Sequence, residues 1–304
     1  MPRIALLGCG RWGRNILRDL LSLGCEVFVA DPNPEALKYA QSAGAQILGT
    51  TLNDLPQSDG LVIASPTSTH AAVIESALFR GAPIFVEKPM ICNLADAQRL
   101  AERAEGRLFV MDKWRYHPGI EELRRICESG ELGRCFGMRL EQAGWGLPHD
   151  DVDVIWILLP HCISIALEVL GHVPAARHAF AEQHKGRALS MHAVLGDSPW
   201  VTMEVSVRSP VKRREFYLHC EDGVAWLDEG WSDHIKIARG AGVSGGEATE
   251  IERRPVSPEL PLLRELRSFV DHLGGGPPPR SSAREGVLAV QRISELRALA
   301  GLDR

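Results

Sequence analysis

Gly8-Cys9-Gly10-Arg11-Trp12-Gly13 follows the apolar run at residues 4–7 and opens the amphipathic stretch NILRDLLSLG at 15–24. A glycine pattern of this spacing recurs by chance, so its weight comes from its place between a strand-like and a helix-like segment. Gly8 permits a tight turn, Gly10 lets a pyrophosphate approach the main chain, and Gly13 lets helix and strand pack closely. The helix start then faces the phosphate charge with its amide dipoles. Arg11 and Trp12, inside the turn, join the glycines in the expected cofactor set. Asp31 ends the second strand-like run 18 residues after Gly13, where an acid accepts hydrogen bonds from adenosine ribose hydroxyls. A carboxylate there repels a 2′-phosphate, so the expected cofactor is NAD ahead of NADP.

Working outward, short apolar runs at 4–7, 26–30, 60–64, 83–86 and 107–111 read as strands buried on both faces. Helical periodicity fills 12–23, 34–43, 70–80 and 94–105, and Asn93 stands where a side-chain cap belongs. This alternation predicts a parallel, doubly wound sheet. Beyond Pro118 the pattern changes to a helix at 119–128, a strand at 135–143, a largely helical 153–170 and a series of strands over 176–238. VTMEVSVR (201–208) alternates, and EFYLHC (215–220) and VAWLDE (224–229) flank a Glu-Asp-Gly turn as a hairpin. The Gly-, Ser- and Pro-rich stretch 240–258 reads as a loop, and helices at 259–273 and 283–301 close the chain around GGGPPP. The predicted fold is an α/β Rossmann domain over 1–117, followed by an α+β domain over 118–304 with a large, mostly antiparallel open sheet. The second is expected to serve substrate binding and oligomerisation, with the C-terminal helices free to pack back on the first.

The 304 residues, 45% hydrophobic and 24% charged, have ordinary globular composition, and their number exceeds the usual single core. A net charge of -5 and a pI near 6.1 argue against nucleic acid or an anionic membrane as partner. The seven cysteines are scattered, without a CxxC pair or zinc-like Cys/His spacing, so no metal is expected and a reducing, cytoplasmic location fits. The start Met-Pro-Arg lacks a signal-peptide layout, and no apolar run is long enough to span a bilayer.

Two strand-end stretches carry the remaining chemistry. Ser65-Pro66-Thr67-Ser68-Thr69-His70 follows a strand at its carboxyl end, where ligands lie in open α/β sheets. Ser65, Pro66, Thr67 and His70 could meet the nicotinamide ribose, or the turn could cap the next helix; the residues alone leave both readings open. Glu87-Lys88-Pro89 ends another strand. Together with GCGRWG and Asp31, these stretches resemble the Gfo/Idh/MocA oxidoreductase family. Trp114-Arg115-Tyr116-His117-Pro118 and the Gly130–Gly133 turn are similar to the family's entry into its second domain. GRWGRN and the stretch Asp151 to His161 resemble the branch acting on nucleotide-linked sugars.

The resemblance implies roles for particular residues. Glu87 and Lys88 join the cofactor set, and Lys88 assists at the reacting oxygen while Pro89 restricts its backbone. His161 is the second acid–base group. Where the family usually has Asp one helical turn before this His, the chain has Ile157, and Cys162 stands where the branch tends to have another Asp. Arg115, Tyr116, Asp153 and Ile157 are candidate substrate-side residues, with His117 open to the same role. Trp145, His149, Asp150 and Asp151 could touch a sugar or form a solvated loop, and Lys212-Arg213-Arg214 reads as a basic turn. The implied activity is NAD-dependent hydride transfer to or from a secondary alcohol or ketone of a sugar or sugar nucleotide, in a homodimer or homotetramer. The alternatives are a catalytically silent NAD- or sugar-binding regulator, motivated by Ile157 and Cys162, and a reductase of a non-sugar carbonyl or imine.

Overall fold

Six strands, β1 (Arg3–Leu7), β2 (Glu26–Ala30), β3 (Ile47–Gly49), β4 (Gly60–Ile63), β5 (Ile84–Glu87) and β6 (Leu108–Met111), form one parallel sheet in the order β3-β2-β1-β4-β5-β6. The computed structural model describes residues 1–146, 151–240 and 250–302. The first three strands run outward to one side of β1, and the chain then crosses to β4 on the other side. That reversal is the switch point at which α/β sheets open a ligand crevice. Helices α1 (Gly13–Ser22), α2 (Pro34–Ala43), α3 (His70–Leu78) and α4 (Leu94–Arg103) connect the strands. Their starts follow capping chemistry: the side chains of Asn33 and Asn93 accept the N–H groups of Glu35 and Asp96. β3 is not foreseen from sequence, because three residues are too few to show a period.

The two compact units of the chain are Met1–Lys113 with Leu260–Val290, and Trp114–Glu259 with Gln291–Arg304. Residues 260–290, numbered with the second domain in the sequence reading but free there to pack back on the first, group with the first unit. The reason lies in α7 (Pro261–Leu273), whose Leu262, Leu266 and Phe269 are buried in the same core as Leu6 and Phe85. Phe269 stacks on Phe85 with ring centroids 4.9 Å apart. Gly60 makes room for the helix, since a Cβ there would lie 2.8 Å from Leu273 Cδ1. The first part of α8 (Ala283–Leu299) also belongs to this unit, and just before it Ser281 O accepts the N–H of Val110.

The second unit carries α5 (Pro118–Ser129), α6 (Val154–Leu170) and eight strands: β7 (Cys135–Trp145), β8 (Ala176–His184), β9 (Arg187–Leu195), β10 (Trp200–Ser206), β11 (Arg208–Cys220), β12 (Gly223–Leu227), β13 (His234–Arg239) and β14 (Ile251–Pro255). Their order is β14-β13-β12-β11-β7-β10-β9-β8, antiparallel throughout except for the β10–β7 pair. The β11–β12 hairpin closes at Cys220 opposite Gly223, as the turn residues require. α6 is apolar on nearly every side and almost wholly buried, as a central helix must be. Two expectations fail here. Lys212-Arg213-Arg214 lies within the continuous strand β11 rather than in a turn, with Arg213 facing Glu141. The stretch expected as a loop over 240–258 contains β14, a strand without an apolar face that Arg254 ties to Glu122, Glu131 and Glu252. Among the described residues, no helix is long and apolar enough to cross a membrane, and no group of three His, Cys, Asp or Glu side chains is arranged to hold a metal ion.

Candidate active site

The glycine turn is built by steric exclusion. Gly8 has φ 99°, and a Cβ on it would lie 2.7 Å from the main chain of Ala64 and Ser65. A Cβ on Gly13 would lie 2.3 Å from the carbonyl oxygen of Gly8, so α1 crosses the end of β1 at a distance only glycine allows. Gly10 differs: a Cβ there meets nothing within 4 Å, which leaves its surface open to a ligand. α1 begins without a side-chain cap and without an acid in its first turn, so its leading amides are available to an anion. Arg11 is exposed beside them.

Asp31, just beyond β2 and 8% exposed, accepts the Cys9 N–H at 2.7 Å through Oδ2 and the Asn33 N–H at 2.8 Å through Oδ1. It thus holds the glycine turn in shape, and each oxygen keeps a second lone pair for a ribose hydroxyl. Burial, then the Asp31 charge, pushes the Cys9 thiol up to about 11, which makes it unreactive. The turn, the bare Gly10 surface and the placed carboxylate fit an adenine dinucleotide.

Beyond the turn, Glu87 links two expected site segments. Its Oε1 accepts the indole N–H of Trp12, and its Oε2 accepts the main-chain N–H of Lys88 at 3.1 Å. The Lys113 ammonium lies 4.5 Å from the Trp12 ring centroid. Burial raises the Glu87 pKa, opposed by Lys88, the Trp12 hydrogen bond and Lys113. Near these groups, Glu265 on α7 is 1% exposed, and its Oε1 has no hydrogen-bond partner. Desolvation, then the charges of Glu87 and Asp112, raises its pKa well above the ordinary carboxyl range. Phe85 and Glu87 share one face of β5, and Glu265 and Phe269 share one face of α7, so the phenyl stack brings the two carboxyls to the carboxyl end of the sheet.

The SPTSTH segment resolves toward its own turn. Thr67–Thr69 form one turn of 3-10 helix, Ser65 Oγ and Thr69 Oγ1 lie 2.8 Å apart, and Thr69 Oγ1 donates to Pro66 O. His70, expected at the cofactor, is 1% exposed, with its ring nitrogens 2.9 Å from Pro89 O and 3.0 Å from Ser65 O. It fastens the two strand-end loops to each other.

In the second unit, His161 lies on α6, 8% exposed, with the Trp114 ring edge-on at 6.3 Å. Ile157 is buried one turn earlier, and Cys162 is buried with its thiol pushed up to about 12. Two expected substrate-side residues instead hold the fold. Arg115 Nε donates to Glu168 Oε2 at 2.8 Å, and Arg124 takes the other oxygen of that carboxylate. Asp153 caps α6 by accepting the N–H groups of Ile155 and Trp156, and its second oxygen pairs with Arg297 at 2.7 Å. His117 caps α5: Nδ1 accepts the Gly119 N–H, and Nε2 lies 3.0 Å from Gly230 O. Tyr116 is buried, and Trp145 stands exposed at the end of β7. Asp151 is exposed, and His149 and Asp150 lie outside the described residues.

Comparison with known proteins agrees with this construction. Residues 2–110 match the family model described as "Oxidoreductase family, NAD-binding Rossmann fold", Gfo/Idh/MocA. The first domain belongs to the Gfo/Idh/MocA oxidoreductase family. Inositol 2-dehydrogenase of Streptomyces avermitilis is 33% identical over 143 residues, 43% of this chain and 41% of that protein. The chain thus spans about two-fifths of that relative's length. UDP-N-acetylglucosamine 3-dehydrogenase of Acidithiobacillus ferrooxidans is 27% identical over 91% of this chain and 90% of its own. The solved structure of the latter superposes over 99% of this chain and 98% of its own with a TM-score of 0.84 at 20% identity, a likeness of fold.

Lys113 and Glu265 escape a sequence reading. Lys113 follows a strand at the carboxyl end of the sheet, and Glu265 interrupts the apolar stripe of α7 at 262, 266 and 269; both are usable signals. Gly10→Ala is expected to leave thermal unfolding of the ligand-free protein within about 1 kcal/mol of the parent while abolishing NADH binding in a fluorescence titration. Gly8→Ala is expected to lose both, because its Cβ has no room. For Glu265, an acid raised in the folded state keeps its stabilisation at pH below the ordinary value of 4.5 and loses it as pH rises toward the folded value. Urea unfolding should therefore show stability falling with pH above that value, and Glu265→Gln should flatten the fall; parallel curves would contradict a buried neutral carboxyl.

Proposed function

We propose that this protein is an NAD-dependent oxidoreductase moving hydride to or from a secondary alcohol or ketone of a sugar or sugar nucleotide. The carrying observation is the continuous tie from the glycine turn through Trp12 and Glu87 to the main chain of Lys88. A lysine following a strand end and tied by its main chain to that turn supports this reading. The names of the two relatives, a polyol dehydrogenase and a sugar-nucleotide dehydrogenase, support the substrate class.

NAD, when bound, accepts or gives the hydride at the substrate carbon. The chain's own task is the proton on the substrate oxygen. In oxidation the Lys88 amine takes that proton as the carbonyl forms, and in reduction the ammonium returns it. His161 is the proposed second acid–base group. Ile157, one turn before it, offers imidazole no hydrogen bond, and this favours a second reading in which the protein binds NAD and a sugar without efficient turnover. Self-association fits the open face of the second sheet, where Phe180 is 62% exposed and stacks on His192 in a shallow groove with Val194, Thr202 and Glu204.

Steady-state assays following nicotinamide absorbance over polyols, sugars and sugar nucleotides should find turnover. Lys88→Met should lower it roughly 10²–10⁴-fold while NADH still binds. Absence of turnover across the panel, with NADH still bound, favours the silent reading.

A further inference from the structure

Three of the seven cysteines gather in the second unit. Cys127 lies near the end of α5, Cys135 begins β7 and Cys220 ends β11. All three are free thiols, with Cys127 and Cys135 half-buried and Cys220 buried. Cys135 and Cys220 are direct partners in the antiparallel β7–β11 pairing, just past a bulge after His219. Directly opposed residues in such a pair have Cα atoms about 4.5–5.5 Å apart. That separation lies inside the range of about 4.4–6.8 Å that a disulfide spans. The Cys135 thiol donates to Gly137 O at 3.9 Å and neighbours the thiols of Cys127 and Cys220.

We propose that Cys135 and Cys220 form a modification site for hydroperoxides, closing as a reversible disulfide between β7 and β11. The neighbouring Cys135 thiol lowers the Cys220 pKa from the ordinary thiol value, whereas burial pushes Cys25 up to about 11 and Cys162 up to about 12. The Cys220 thiolate attacks the terminal peroxide oxygen; an S–O bond forms, the O–O bond breaks, and hydroxide from hydrogen peroxide, or alkoxide from an organic hydroperoxide, leaves and is protonated to water or an alcohol. Cys135 sulfur then attacks the resulting sulfenic acid; the S–S bond forms, the S–O bond breaks, and the hydroxyl leaves as water with the Cys135 proton. Two thiols are oxidised by two electrons and one peroxide is reduced. The bridge joins strands that are already paired, so the sheet keeps its register.

The test is made on the full chain in its native state. The protein is treated with hydrogen peroxide, its remaining thiols are alkylated, and the unreduced peptides are mapped by mass spectrometry. The expected product joins the Cys135 and Cys220 peptides with the loss of two hydrogens, reverts with dithiothreitol, and leaves Cys9, Cys25 and Cys162 as thiols. The oxidised protein should unfold a few degrees higher than the reduced one. Oxidised Cys220→Ser should show neither this crosslink nor this shift. Cys135 and Cys220 remaining as thiols while Cys92 oxidises, or bridges formed only through other cysteines, would overturn the proposal.

Discussion

The first unit depends on one close approach, where Gly13 at the start of α1 passes over the Gly8 carbonyl at the end of β1. A Cβ on Gly13 would stand 2.3 Å from that oxygen. No other side chain allows the helix to begin there, and the helix start is what presents amides to a diphosphate. Asp31 reinforces the geometry from the adjacent strand by taking the Cys9 N–H. One carboxylate thus shapes the turn, and in the proposed function the same side chain takes the ribose hydroxyls.

From that turn, order passes to the carboxyl end of β5 through polar contacts. Trp12 donates to Glu87, and Glu87 holds the Lys88 main chain. Keeping a carboxylate there in low dielectric is costly, and a second acid, the buried Glu265, lies near the half-buried Glu87. Two neighbouring carboxyls in low dielectric do not both ionise readily, and desolvation raises the pKa of each, opposed at Glu87 by Lys88, the Trp12 hydrogen bond and Lys113. The phenyl stack of Phe85 and Phe269 sets that neighbourhood.

Much of this was legible in the sequence, for identifiable reasons. Gly8, Gly13 and Asp31 each answer a constraint that few residue types satisfy at a fixed spacing. β1, β2 and β4–β6 are buried on both faces and read as apolar runs, whereas β3 is too short and β14 too polar to register. The apolar stripe of α7 announces a buried face but not which sheet it covers; residues 260–290 therefore changed units. The link between Trp12 and Glu87 joins residues 75 apart in the chain, beyond any local pattern. Arg115 and Asp153 carry chemistry-bearing side chains that packing had already committed to Glu168 and to the start of α6.

The most direct measurement is calorimetric titration of the full chain with NADH and with NADPH, repeated on Asp31→Ala. The account requires NADH to bind with a dissociation constant on the order of micromolar and NADPH far more weakly, with the gap narrowing when the carboxylate is removed. Heat from neither nucleotide, or tighter binding of NADPH by the parent protein, would contradict it.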